Sequence, residues 1–162
     1  GLLMRLYHGS NMVVERPRII SSGRTLDFGS GFYTTTYFDQ AVAFSKKVAD
    51  RRGGTPFVNV YEFDESLIDI LRVKLFESPE IEWLEYVVSN RHGVCHDDYD
   101  MVIWPVANDD VYRTIQIFEQ GFINRDEAIK RLRIKKLFNQ YVFRTESSVS
   151  MLTFVEALDG RQ

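Results

Sequence analysis

The sequence predicts an α+β domain, and three observations carry that expectation. Short runs rich in β-branched and aromatic residues alternate with segments whose apolar residues recur at helical spacing. The changes of period fall at glycines, prolines or polar clusters, and no long linker, repeat or low-complexity segment interrupts them. A length of 162 residues suits one domain with a real core, so a single domain over residues 1–162 is expected.

MRLYHG reads as a first strand ending at His8-Gly9, and residues 11–27, with Pro17, Ser21, Ser22 and Gly23, read as a loop. FYTTT has the β-branched and aromatic content of a strand. From Phe38 the period changes. Phe38, Ala41, Val42, Ser45, Val48 and Ala49 share one helical face, and Gly53-Gly54 ends that helix. TPFVNVYEFD and RVKLF follow as strands, Pro79 opens a helix through EIEWLEYVVSNR, and YDMVIWPVA is an apolar strand. NDDVYRTIQIFEQG is a helix with Gly121 as its stop, and Asn124 with Glu127 makes a capping box for the next one. NQYVFR and LTFVEAL close the chain as strands around a turn at residues 146–150.

Composition excludes several classes of function. Hydrophobic residues are 44% and charged residues 27%, and no apolar run approaches the roughly 20 residues of a membrane span, so a soluble chain is expected. GLLMRLYHGS lacks a charged start and a cleavage site, and the lone Cys95 permits no internal disulfide; both point to a cytoplasmic protein, or one delivered to a target cell's cytoplasm. A net charge of -3 and a pI near 5.6 give no global attraction to nucleic acid, although a local patch still could. His92, Cys95, His96, Asp97 and Asp98 crowd one loop, but no zinc spacing emerges, and no metal is expected. Phosphate-binding loop, dinucleotide fingerprint and nucleophile elbow are all missing from the sequence.

Three stretches carry candidate chemistry. His8-Gly9 ends a strand, where a histidine can donate or accept and a glycine bares the main chain to a flat ligand. The pair equally fits a surface histidine before a turn. In GSGFYTTT, residues 29–36, Gly29 and Gly31 permit a sharp turn that presents Tyr33 beside bare backbone. Phe44 lies about a quarter-turn off its helix's apolar stripe, on the flank of Tyr37, so Tyr33 and Phe44 could sandwich a planar heterocycle or pack on neighbouring strands. In NQYVF, Gln140 places a polar amide at the start of an apolar strand.

Taken in order, LYHGS, DFGSGFYTTTYFDQAVAFS, PVANDDV and NQYVF resemble the ADP-ribosyltransferase superfamily, in its diphtheria-toxin and poly(ADP-ribose)-polymerase branch with a His, Tyr, Glu signature. The set is similar in particular to a bacterial family of unknown function grouped with those transferases. The resemblance spans nearly the whole chain and implies a split β-sheet core with flanking helices. It implies that NAD is the co-substrate, that His8 hydrogen-bonds a ribose hydroxyl, and that the Gly9 main chain holds the nicotinamide carboxamide. It further implies that Tyr33 and Phe44 stack on the nicotinamide ring and that Gln140 occupies the position of the family's glutamate. His8, Tyr33 and Gln140 are thus the expected catalytic residues.

Two departures shape the expected activity. Ala41 stands where the polymerase branch has a serine, which removes one contact to the carboxamide. Gln140 is neutral and cannot remove a proton, so transfer of a single ADP-ribose is expected and chain elongation is not. The expected function is mono-ADP-ribosylation of a macromolecule, protein or nucleic acid, by a bacterial toxin or effector that an antitoxin protein could restrain. A catalytically silent module that binds NAD or a nucleotide is the alternative, kept open by Gln140. Asn108, Asp109 and Asp110 read as a helix start, with a second role for Asp109 near the acceptor implied by the resemblance. The basic run Lys130, Arg131, Arg133, Lys135 and Lys136 is explained by a helix C-terminus alone, and the resemblance adds an anionic acceptor as the minority reading.

Overall fold

The computed structural model describes residues 2–19, 31–78, 80–91, 98–106, 109–133 and 138–161, with the backbone alone at 91, 105–106, 109–112, 133 and 138–139. Among these residues seven strands and five α-helices form. The order is β1 (Leu3–Ser10), β2 (Phe32–Thr35), α1 (Phe38–Arg52), β3 (Phe57–Asp64), a 3-10 turn (Glu65–Asp69), β4 (Val73–Leu75), α2 (Ile81–Arg91), β5 (Met101–Val106), α3 (Asp109–Glu119), α4 (Arg125–Arg133), β6 (Phe138–Phe143), α5 (Glu146–Val149) and β7 (Thr153–Asp159). The α+β expectation holds, and the expected strands and long helices form where the sequence places them.

The strands make one sheet in the order β4-β5-β6-β2-β1-β3-β7. All pairs are antiparallel except β4 with β5. The joint in the middle is thin. β1 pairs with β3 along its whole length, from Leu3 opposite Asp64 to Ser10 opposite Phe57. With β2 it pairs at one position, Tyr7 opposite Thr35. The sheet is therefore two well-laddered halves, β4-β5-β6-β2 and β1-β3-β7, meeting at a seam.

Strand alternation sends successive side chains to opposite faces, and each face has its own core. On one, Trp83 and Leu84 of α2, Ile115 of α3 and Leu132 of α4 pack on Trp104 and Val142 of the sheet. Trp83 and Trp104 stack with ring centres 5.4 Å apart. On the other, Leu6, Phe32, Tyr61, Phe63, Ile103 and Phe143 meet Val14, Leu67, Ile68 and Leu152, contributed by loops, the 3-10 turn and the segment after α5.

α1 covers the first face over β1 and β3. It buries Ala41 and Ser45 and ends at Gly53, whose φ is +84°. Phe38, expected on the buried stripe, is partly exposed and meets the Tyr7 ring edge-on, at 5.4 Å. Gly9 makes this close seating possible. A Cβ there would lie 2.3 Å from the carbonyl oxygen of Ala41 and 2.7 Å from the amide nitrogen of Ser45. The missing side chain at position 9 thus makes room for a helix.

Other local expectations are refined. Gly31 has no positive φ. A Cβ at that position would come within 2.8 Å of the Phe143 carbonyl oxygen, so close approach to β6 explains it better than a turn. At α4 the Asn124 side chain accepts from the Glu127 amide at 2.8 Å, but the Glu127 carboxylate accepts from Arg131 Nε, so only half of the capping box is seen. The turn expected at 146–150 is a single-turn helix, α5, capped by Thr145 and Ser148 reciprocally. Gly29 and Pro79 lie outside the described residues.

Gly9→Ala should lower the urea midpoint by an amount equivalent to roughly 1–3 kcal/mol, the usual cost of overpacking. Chemical denaturation measures it, and an unchanged midpoint would show that α1 is not seated on Gly9 as described.

Candidate functional site

The seam is closed by a side chain in place of a ladder. His8 Nδ1 donates to the main-chain carbonyl of Tyr33 at 2.7 Å, joining β1 to β2 just past their one pair. A carbonyl oxygen only accepts, so Nδ1 carries the proton and Nε2 of the neutral ring is left as an acceptor. The ring stacks on Phe32, centres 4.1 Å apart. Burial pushes the His8 pKa down from 6.5 to about 4, against a weaker upward pull from the Tyr33 carbonyl.

Asn59 holds the neighbouring backbone. It lies opposite His8 in β3 and is 0% exposed. Its Oδ1 accepts from the Val14 amide at 2.8 Å, while its Nδ2 donates to the Met12 carbonyl at 3.1 Å and to the His8 carbonyl at 3.4 Å. Tyr61 adds a hydroxyl bond to the Val14 carbonyl at 2.6 Å. Asn11 Nδ2 donates to the Gly53 carbonyl at the end of α1. Residues 11–14 are thus a strap tied to β3 and α1.

Register fixes the remaining relations. Tyr7 opposes Thr35, Thr35 opposes Gln140, and Gln140 opposes Trp104. Opposed residues share a face, so Tyr33, Thr35, Gln140 and Trp104 all belong to the face on which α1 and α2 to α4 sit. Tyr33 packs against the core beneath α2 to α4. Phe44 projects from α1 and is 50% exposed, a large apolar surface left in the open. The structure therefore brings Gly9, Tyr33 and Gln140 to one face, with Phe44 on the helix above it. The His8 ring belongs to the other face, with Phe32, and reaches this group through its bond to Tyr33.

Gln140 shows the most telling feature. Its Oε1 is buried without a hydrogen-bond partner. The residue opposite in the ladder is Thr35, whose hydroxyl donates to Gln40 Oε1 at 2.8 Å and accepts from the Tyr37 amide at 3.1 Å. A buried acceptor with nothing to accept from costs about 1–3 kcal/mol; Oε1 is one of several such buried polar atoms among the described residues, and a ligand hydroxyl or N–H would reach it only once the amide turned outward. An aromatic surface, a tyrosine and an unfilled acceptor on one face suit a planar ring attached to a polyol.

Sequence reasoning missed Asn59 and the Thr35–Gln40 pair. The signal for Asn59 was present, as an uncharged polar residue in the middle of the strand FVNVYEFD. Other expectations are not placed by the structure. His92, Cys95, His96 and Asp97 lie outside the described residues, as do Asn108, Lys135, Lys136 and the side chains of Asp109, Asp110 and Arg133. Asp98 pairs with Arg72, and Arg131 with Glu127. Among the described residues no three His, Cys, Asp or Glu side chains gather as a metal site, and no helix is long and apolar enough to cross a membrane.

Fold and site together define an α+β domain whose candidate ligand face lies beside a seam in its single sheet. The chain belongs to the family described as "Protein of unknown function (DUF3990)", whose model matches residues 4–154. No curated protein and no solved structure matches the chain.

The low pKa of His8 gives a test. Below pH 6.5 the unfolded chain takes up a proton that the folded ring refuses until about pH 4. This contribution is present above pH 6.5 and is lost as pH falls toward 4. Comparing wild type with His8→Asn by urea unfolding at pH 7 and pH 4 should show an extra loss in wild type on the order of 2 kcal/mol. Equal losses would show that His8 is not held neutral.

Proposed function

We propose that this chain is an NAD-dependent mono-ADP-ribosyltransferase that modifies a macromolecule, with the fold of that superfamily. The single observation that carries the reading is the buried, unpartnered Oε1 of Gln140 on the face shared with Gly9 and Tyr33. The split sheet that the resemblance implies also has its counterpart in the one-pair seam between β1 and β2. The residues present fit the dinucleotide. A ribose hydroxyl would satisfy Gln140, and the exposed ring of Phe44 with Tyr33 would take the nicotinamide.

NAD supplies a good leaving group. The bond between ribose C1′ and nicotinamide breaks with its electron pair leaving on nicotinamide, and C1′ bonds to an acceptor atom whose proton passes to solvent. The chain's residues do the rest. Tyr33 and Phe44 hold the departing ring, the Gly9 main chain orients its carboxamide, and His8, its ring on the other face, acts by fixing the Tyr33 backbone across the seam. Gln140 orients the reacting ribose by accepting a hydrogen bond and directs its carbonyl dipole toward developing positive charge. An amide does this without drawing a proton from the acceptor, so one ADP-ribose is transferred and a chain is not extended. The setting is a bacterial toxin or effector, with an antitoxin as the natural inhibitor.

A second reading is a module that binds NAD without reacting. It is favoured by the neutral Gln140 and by Ala41, which is buried against Gly9 and offers no hydroxyl.

Nicotinamide release, with and without cell lysate, separates the two. Gln140→Ala should reduce release about 100-fold, the scale of losing one preorganised group, while weakening NAD less than about tenfold. Gln140→Glu should raise NAD hydrolysis. Binding of NAD by wild type with no release under any condition would support the silent module.

Tyr33→Ala should weaken NAD by about tenfold or more, since the stacking surface is lost. Calorimetry reads this directly, and unchanged affinity would remove Tyr33 from the site.

A further inference from the structure

We infer that Asn59 is a positioning residue for the candidate site: its amide sets the His8 main chain and the strap 11–14 so that the His8 ring is held in one tautomer across the seam. The inference rests on the transferase reading for what His8 would contact, but not for how Asn59 acts. An asparagine at 0% exposure in the middle of β3 must have its polar atoms satisfied, and its side-chain hydrogen bonds lead to His8 and to the strap directly after it.

The two ends of the His8 residue are held separately. Its ring is tied to β2 through the Tyr33 carbonyl, and its carbonyl is tied to β3 through Asn59 Nδ2. Ladder pairing with β2 ends at Tyr7, so the seam beyond that point has no regular ladder to set the strand spacing. A side-chain amide that accepts once and donates twice fits this position. A leucine of similar size would leave the Val14 amide and the Met12 carbonyl without these partners. Tyr61 also ties the strap at Val14, but it makes no contact of this kind to His8.

The test uses the full chain labelled with nitrogen-15, His8 being assigned by its loss in His8→Gln. Wild type should show one fixed tautomer with the proton on Nδ1. Asn59→Ala should average the two ring-nitrogen shifts and weaken NAD about tenfold. Asn59→Asp, which keeps the shape and the acceptor but not the donors, should do the same if Asn59→Ala does not fold. Tyr61→Phe, which loosens the strap alone, should leave the His8 pattern unchanged. In a His8→Ala background Asn59→Ala should cost no further NAD affinity, because its effect passes through His8. An unchanged His8 pattern in both Asn59 variants, or the same averaging in Tyr61→Phe, would overturn the inference. If the pattern changes as expected while wild type itself binds no NAD, the positioning role stands and the transferase reading fails.

Discussion

The structure turns on how two half-sheets are joined. Each half is stabilised by continuous antiparallel pairing, but β1 and β2 share one ladder position, and the hydrogen bond from His8 Nδ1 to the Tyr33 carbonyl takes over beyond it. A side-chain bond differs from a ladder bond in an important way. It spans a wider gap and leaves main-chain edges between the strands that regular pairing would have closed. The same bond fixes the proton on one nitrogen, and the burial that shields it makes the charged ring unfavourable. Joint, tautomer and charge state are three consequences of one placement.

Everything on the helical face is arranged around that joint. α1 comes to within backbone contact of β1 because position 9 has no side chain. That approach carries Phe44 above the strands and leaves its ring half in solvent. On the other flank the stacked Trp83 and Trp104 fill the space under α2 to α4, and Gln140, opposite Trp104, sits where the apolar packing gives way. Its oxygen is removed from water without receiving a donor. Native proteins seldom leave such a cost uncompensated.

Neutrality is the chemical theme of these residues. His8 is held uncharged, Gln140 and Asn59 are amides, and Thr35 has its hydroxyl committed to Gln40. A group of this kind positions a ligand by hydrogen-bond geometry and leaves proton transfer to others. Its attraction for a ligand would depend little on salt, since no bare charge on these residues draws it in.

Much of the architecture was legible in the sequence. The strand of MRLYHG, the helix beginning at Phe38 and its stop at Gly53 follow from side-chain period, β-branched content and glycine, which are local properties. The candidate residues Tyr33 and Gln140 were legible as types, and strand alternation gave each a face relative to its own neighbours. Tertiary structure decided how those faces combine, because register across β1, β2 and β6 comes from pairing between residues distant in the chain, such as Thr34 and Tyr141, 107 positions apart. It decided that glycine 9 admits a helix, that the His8 ring faces away from Gln140, and that Asn59 stands behind His8. The physical reason is that burial and hydrogen-bond partnership depend on what distant segments bring, whereas period and propensity depend on the chain itself.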